Sequence, residues 1–152
     1  MDHKKESTIS VGLIQMACSP DIDKNLKKAV DYISSAAKQG AQIICLPELF
    51  LTQYFCQTED TGNFSLSEPL PGPTSEILSR LAKELQVVLI VPLFEKRTEG
   101  IYHNTAIIID VDGSLAGKYR KMHIPDDPSF FEKFYFTPGD TGFKSFPTRY
   151  GK

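Results

Sequence analysis

Apolar and polar positions first fall into a pattern at Ile9, where Ile9, Val11 and Leu13 are separated by Ser10 and Gly12 while Ile14 and Met16 make the second face apolar too. A run apolar on both faces predicts a strand buried on both sides over residues 9–16. The period then lengthens. Leu26, Ala29, Val30, Ile33, Ala36 and Ala37 recur at helical spacing, Asp21 or Asp23 can cap the first turn, and Gly40 is placed to end the helix. Residues 41–46 form a short continuous apolar strand that Pro47 breaks. Residues 49–73 show no period, hold Gly62, Pro69, Pro71, Gly72 and Pro73, and read as a loop with a helical turn near Glu59. Thr74 is predicted to cap a second helix with the stripe Ile77, Leu78, Leu81, Ala82 and Leu85. A buried strand follows at 87–93, where Pro92 predicts an irregularity or an end. Residues 101–110 read as another strand, Asp112-Gly113 as the hairpin turn before 114–119, and 142–148 as a last strand.

This order predicts an α/β domain with a mixed sheet. Both helices fall on the same side, so the other face of the sheet needs a cover that these residues do not obviously supply.

Composition narrows the function classes. The 152 residues suit one globular domain, with 41% hydrophobic and 24% charged positions, and the net charge of -2 leaves no basic stripe for nucleic acid. No apolar run approaches the roughly 20 residues of a membrane span, and the polar start lacks the apolar core of a signal peptide, so no membrane and a cytoplasmic location are expected. Residues 1–8 are expected to form a disordered tail and 9–152 a single domain. Cys18, Cys45 and Cys56 are an odd number without close pairing and suggest neither a disulfide framework nor a zinc site. Cys45, in an apolar run, is expected to be a buried, inert thiol. His3, His103 and His123 show no ligand spacing, and no metal is expected.

Residues 118–136 stand apart. They are too polar and proline-marked for a core strand, too long for a tight turn, and rich in aromatic rings, which argues for an ordered active-site loop rather than a disordered one. Lys121 and Glu132 lie in it. An ammonium in a partly dry site can stabilise an oxyanion, whereas a lysine in a basic run with Lys118 and Arg120 is commonly solvated surface. Glu48 follows the apolar strand at 41–46 directly, where partial desolvation suits a general base; it equally suits an acid that anchors a loop. Tyr54 is a candidate to line a substrate pocket or simply to pack. Asp126 and Asp127 can meet a cationic tail or serve as turn residues beside Pro125 and Pro128.

Leu46-Pro47-Glu48, then Lys118-Tyr119-Arg120-Lys121-Met122-His123-Ile124-Pro125, then Phe131-Glu132-Lys133-Phe134-Tyr135-Phe136-Thr137-Pro138-Gly139-Asp140 together resemble the nitrilase, or carbon-nitrogen hydrolase, superfamily from Ile9 onward. Asp126-Asp127-Pro128 and Gly139-Asp140-Thr141-Gly142-Phe143 look most like its N-carbamoylputrescine amidases. The resemblance implies the N-terminal half of a four-layer α-β-β-α sandwich and a Glu, Lys, Cys triad that works without metal or organic cofactor. It assigns Glu48 as the base, Lys121 as the oxyanion stabiliser, and Glu132 as the acid that orients the lysine and the substrate. By the same resemblance the cysteine belongs to a strand shortly after Lys152, so the domain is expected to be incomplete at its C-terminus and the 152 residues alone to be inactive and poorly soluble or oligomeric. The expected partners are a small carbamoyl or amide substrate and further copies of the chain. The reaction implied is cleavage of N-carbamoylputrescine to putrescine, carbon dioxide and ammonia. Related substrates are N-carbamoyl amino acids, β-ureidopropionate and simple amides. A non-catalytic remnant acting as a binding module is an alternative of another class; a nucleotide-binding domain is disfavoured, because Cys18-Ser19-Pro20-Asp21 stands where a glycine-rich loop would be.

Overall fold

A computed structural model describes residues 8–152. The expected tail, Thr8 apart, lies outside the described residues. Among the described residues five strands form one sheet in sequential order: β1 (Val11–Leu13), β2 (Ile43–Cys45), β3 (Val88–Thr98), β4 (Ile101–Ile109) and β5 (Leu115–Arg120). The β1/β2 and β2/β3 pairs are parallel and the β3/β4 and β4/β5 pairs antiparallel, so the sheet is mixed, as the element order predicts. Helices α1 (Ile22–Lys38) and α2 (Pro73–Leu85) make the parallel crossovers, and a single turn, α3 (Glu132–Tyr135), follows β5.

Local chemistry sets the helix ends. The Asp21 carboxylate accepts the Lys24 backbone N–H at 3.0 Å and caps α1. Helix α2 departs from the expected cap: Gly72 takes that position, Pro73 opens the helix where its missing N–H is no loss, and Thr74 is already helical. The Ser75 hydroxyl accepts the Gly72 N–H at 2.8 Å. Both helices pack on one face of the sheet, where Ala29, Ile33, Leu78 and Ala82 meet Ile44, Leu89 and Ile107. Each fully buried Ile or Leu there contributes about 1.5–3 kcal/mol.

Three expectations about strands fail, each for a physical reason. The run at 9–16 is a strand only from Val11 to Leu13, and it is not buried on both sides: Val11 is 58% and Leu13 79% exposed. Its side chains alternate between the helices and the helix-free face of the sheet. Pro92 does not end β3. The even residues of β3 aim their backbone groups toward the β2 side, where Ile90 accepts from Leu46, just past β2, at 3.0 Å and Phe94 from Glu68 of the following loop at 3.0 Å. Pro92 falls between them, beyond the end of β2, and breaks no ladder bond. No strand forms at 142–148, because Gly142 adopts φ +69° and Pro147 cannot donate. The segment runs instead as an irregular strap whose Phe146 ring approaches Gly117 so closely that a Cβ there would lie 2.2 Å from it. Phe146 and Tyr150 border an apolar depression with Ile43, Val88, Ile90 and Ile108 on the helix-free face. Cys45 points to the same side and is half-buried rather than buried. No helix among the described residues is long and apolar enough to cross a membrane.

Candidate active site

A second cluster, mostly aromatic, supports the residues of interest. Phe55, Phe64, Phe94, Tyr135 and Phe136 pack ring against ring, with Phe55 stacked on Phe94 at 5.1 Å and edge-on to Tyr135 at 5.0 Å. Such contacts fix orientation as well as burying area. The Tyr135 hydroxyl accepts from the Asp60 N–H at 2.9 Å and donates to the Thr58 carbonyl at 2.5 Å, pinning the 49–73 loop, which carries 3-10 turns at Phe55–Gln57 and Thr61–Leu66. The Phe131 N–H donates to the Cys56 carbonyl at 2.8 Å and ties the second loop to the first. The loop expected at 118–136 begins at Lys121, since Lys118 to Arg120 end β5.

Onto this base the chain brings Glu48, Lys121 and Glu132 together. Lys121 Nζ donates to Glu132 Oε2 at 2.8 Å and to Glu48 Oε1 at 3.1 Å. Glu48 leaves β2 just before Leu49, which adopts φ +51° and is buried in the aromatic cluster. That backbone conformation costs a non-glycine residue roughly 1–2 kcal/mol. The reversal sends Leu49 into the core and leaves Glu48 above it. Glu48 is covered on about half of its side chain, which is 52% exposed. Glu132, on α3, is the buried acid at 4% exposure, and its Oε1 accepts the Tyr54 hydroxyl at 2.9 Å. Tyr54 therefore reaches the cluster through Glu132. Asp126 and Asp127 are exposed; the Asp127 backbone pairs with Phe130 across a tight turn, and neither carboxylate contacts the cluster.

The charges hold one another. Burial works against the Lys121 ammonium, but the hydrogen bonds and charges of Glu132 and Glu48 outweigh it and raise its pKa above the ordinary lysine value. Burial, then the hydrogen bond and charge of Glu132, push the Tyr54 phenol up as well, so it remains a donor. Cys56 is fully buried below the cluster, and burial together with the Glu132 and Glu48 charges pushes its thiol up to about 12. A thiol so held is neutral and a poor nucleophile. Among the described residues no group of three or more His, Cys, Asp or Glu side chains could hold a metal ion.

One member of the cluster has no counterpart in the expected set. Asn104 Nδ2 donates to Glu48 Oε1 at 2.6 Å, and the Asn104 carbonyl accepts the Lys121 N–H at 2.9 Å. The available signal was the polar run His103-Asn104-Thr105 inside an otherwise apolar strand, all three residues being buried. Arg120 entered the sequence reading only as a basic neighbour of Lys121. It is buried, and it binds Glu95 through Nε at 2.8 Å and Nη2 at 2.6 Å.

The family profile described as carbon-nitrogen hydrolase matches residues 10–152. An N-carbamoylputrescine amidase of Solanum lycopersicum is 45% identical over 150 residues, which is 98% of this chain and 50% of that protein. A citrullinase of Francisella tularensis subsp. tularensis is 38% identical over 147 residues, 96% of this chain and 51% of the other. The crystal structure of a carbon-nitrogen hydrolase from Helicobacter pylori G27 superposes with a TM-score of 0.89 at 44% identity, covering 95% of this chain and 49% of that one. The chain thus spans about half the length of the curated relatives it matches.

Proposed function

The chain belongs to the carbon-nitrogen hydrolase family, and from that premise we propose that it contributes the acid, amine and second acid of an amidohydrolase site for N-carbamoylputrescine. Its mixed sheet, with two helices on one face, is the N-terminal half of the family's α/β fold. The reaction consumes one water and yields putrescine, carbon dioxide and ammonia. The observation that carries the reading is the position of Lys121 Nζ between Glu132 Oε2 and Glu48 Oε1.

The two acids differ in a way that assigns their roles. Glu132 has both oxygens occupied, by Tyr54 and Lys121, and is buried, so it orients the lysine. Glu48 receives Asn104 and Lys121 on the same oxygen, and Oε2 has no partner among the described residues, which leaves it to take a proton. The resemblance to the family assigns the nucleophile to a cysteine on a strand after Lys152; of the three cysteines described, Cys56 is sealed in the core, Cys18 donates its thiol proton to the Phe50 carbonyl at 3.1 Å, and Cys45 lies on the helix-free side of the sheet. Glu48 accepts the proton of that cysteine, the thiolate attacks the carbamoyl carbon, and the Lys121 ammonium meets the negative oxygen that forms. Glu48 returns the proton to departing ammonia, then draws one from the water that cleaves the resulting S-carbamoyl (thiocarbamate) bond and passes it to the departing sulfur, which restores the thiol and the free carboxylate. The carbamate released loses carbon dioxide to give the amine.

Ammonia release by the polypeptide that carries this segment tests the reading against N-carbamoylputrescine, citrulline, β-ureidopropionate and simple amides. The expected result is the highest kcat/KM for N-carbamoylputrescine, with KM raised by Asp126→Asn and Asp127→Asn. Preference for citrulline, which shares the ureido group and which the name of the Francisella relative brings into view, would transfer the proposal to N-carbamoyl amino acids. Absence of any hydrolysis would favour a binding module.

A further inference from the structure

We propose that Asn104 is a positioning residue that fixes which oxygen of Glu48 is free to act as the base. This inference rests on the reading of Glu48 as proton acceptor, and it concerns a residue for which that reading has no use.

Asn104 lies in β4 opposite Phe94 of β3, on the face where the aromatic cluster packs, and is 5% exposed. It holds two parts of the site at once. Its carbonyl accepts the Lys121 N–H at 2.9 Å, extending the β4/β5 ladder by one residue and setting where the lysine side chain starts. Its side-chain amide donates to Glu48 Oε1 at 2.6 Å, the atom that Lys121 Nζ also reaches at 3.1 Å. Two donors converging on one oxygen fix the carboxylate plane and turn Oε2 away from both. Glu48 is half-exposed and the residue after it turns the chain sharply, so no packing substitutes for that restraint. With the lysine alone, the carboxylate can rotate and present either oxygen to Nζ, spending the basic lone pairs on the ammonium. The buried amide is thus part of the geometry of the base without touching substrate.

The charged and titratable groups that face Glu48 are Lys121 after β5, Glu132 on α3, and Tyr54 and Cys56 from the first loop. None has the chemistry of a neutral donor that can be turned into an acid of the same shape. Asn104→Asp does this. A second carboxyl at that distance shares a proton with Glu48, and the pair loses it only at a pH well above the ordinary carboxylate range. While the proton is shared, the introduced carboxyl donates as the amide did; once it is lost, two anions repel.

The test uses the hydrolase-competent polypeptide, with thermal melts to show that each variant is folded. Asn104→Ala is expected to lower kcat about 10²-fold with KM nearly unchanged. Asn104→Asp is expected to retain activity at acid pH and to acquire a new descending alkaline limb in kcat/KM that Asn104→Ala lacks. The same proton is to be followed directly, as a raised titration of the Glu48 side-chain carboxyl in ¹³C NMR of Asn104→Asp. Folded variants with wild-type kcat, or an Asn104→Asp profile and carboxyl titration like the wild type, overturn the proposal. If Glu48→Gln itself leaves hydrolysis intact, the reading of the base fails instead, and the NMR result still decides whether Asn104 governs that carboxylate.

Discussion

Arg120 and Lys121 are consecutive, yet they organise two ion clusters of opposite character. Successive residues at a strand's end face opposite sides of the sheet. Arg120 pairs with Thr105 and shares the helix face with Leu93 and Ile107, whereas Lys121 pairs with Asn104 on the aromatic face. Around Arg120 every acceptor is taken: Glu95 receives Arg120 and Lys118 on Oε1 and Arg120 and Thr105 on Oε2, while Arg120 Nη1 also holds Asp140 at 2.8 Å. Four donors saturate a carboxylate. Around Lys121 the side chain is 30% exposed and one Glu48 oxygen has no partner among the described residues. A saturated cluster can only hold structure; one with an open lone pair beside a fixed cation can move a proton. The strap that follows joins the two sides, since the Gly139 N–H donates to the Lys121 carbonyl at 2.9 Å while Asp140 binds Arg120 and Arg97.

This contrast predicts that the open cluster governs rate and the closed one stability. Glu48→Gln keeps the shape of an exposed side chain and removes its basicity. It is expected to lower kcat/KM of the hydrolase-competent polypeptide about 10³-fold while stability stays within ~0.5 kcal/mol of wild type. Steady-state kinetics and a denaturant melt on one preparation decide it, and a large stability loss without a rate effect would erase the distinction.

Arg120→Ala should do the reverse. It strands the Glu95 carboxylate, 2% exposed, without its main partner, and removing one member of a buried pair costs about 3–5 kcal/mol. The double variant Arg120→Met, Glu95→Gln is expected to be milder than Arg120→Ala alone, because no charge is left unpaired. An additive or worse double variant would show that Glu95 is not the cause.

Acid titration reads the closed cluster more gently. Burial alone would push Glu95 up, but the hydrogen bonds from Arg120, Thr105 and Lys118 overcome it and hold the carboxyl at about 2, against 4.5 for an ordinary glutamate. Because the folded value is the lower one, this stabilisation is present above about pH 4.5 and is lost as pH falls toward 2. The loss is on the order of 3 kcal/mol. Glu95→Gln should flatten the pH dependence of the melting temperature in that window, and a slope as steep as wild type would assign it to other carboxylates.

The helices and the mixed sheet were legible because period reports burial directly: the stripe of α1 and the apolar run of β2 each have one packing solution. What misled were positions whose partners lie far along the chain. Val11 and Leu13 are as apolar as any interior strand, and only the placement of both helices on one side said that their face of the sheet lacks a cover. Pro92 looks like a strand end unless β2 is known to stop first. Arg120 carries no local sign of its role because its partner Glu95 is 25 residues away. The three charged groups of the site came from their motifs rather than from period, and Asn104 went unread because its meaning depends on a contact 56 residues distant.

The smallest effect expected separates two uses of Tyr54. As a residue lining the substrate pocket it would contribute to binding, and Tyr54→Phe would raise KM. Its hydroxyl instead donates to Glu132 Oε1 at 2.9 Å, while its ring lies 5.8 Å from that of Phe130, so its action passes through the acid that holds Lys121. Loss of this hydroxyl leaves a buried carboxylate oxygen one donor short, worth about 1–3 kcal/mol where charge is involved. Part of that loosens Glu132 and the ammonium it orients, so kcat should fall several-fold with KM nearly unchanged. The alkaline limb of the pH profile should not move, because the phenol is held up by burial and by Glu132 and is not the group that titrates there. A raised KM at constant kcat would return Tyr54 to the pocket wall, and a shifted alkaline limb would make the phenol itself a participant in proton transfer.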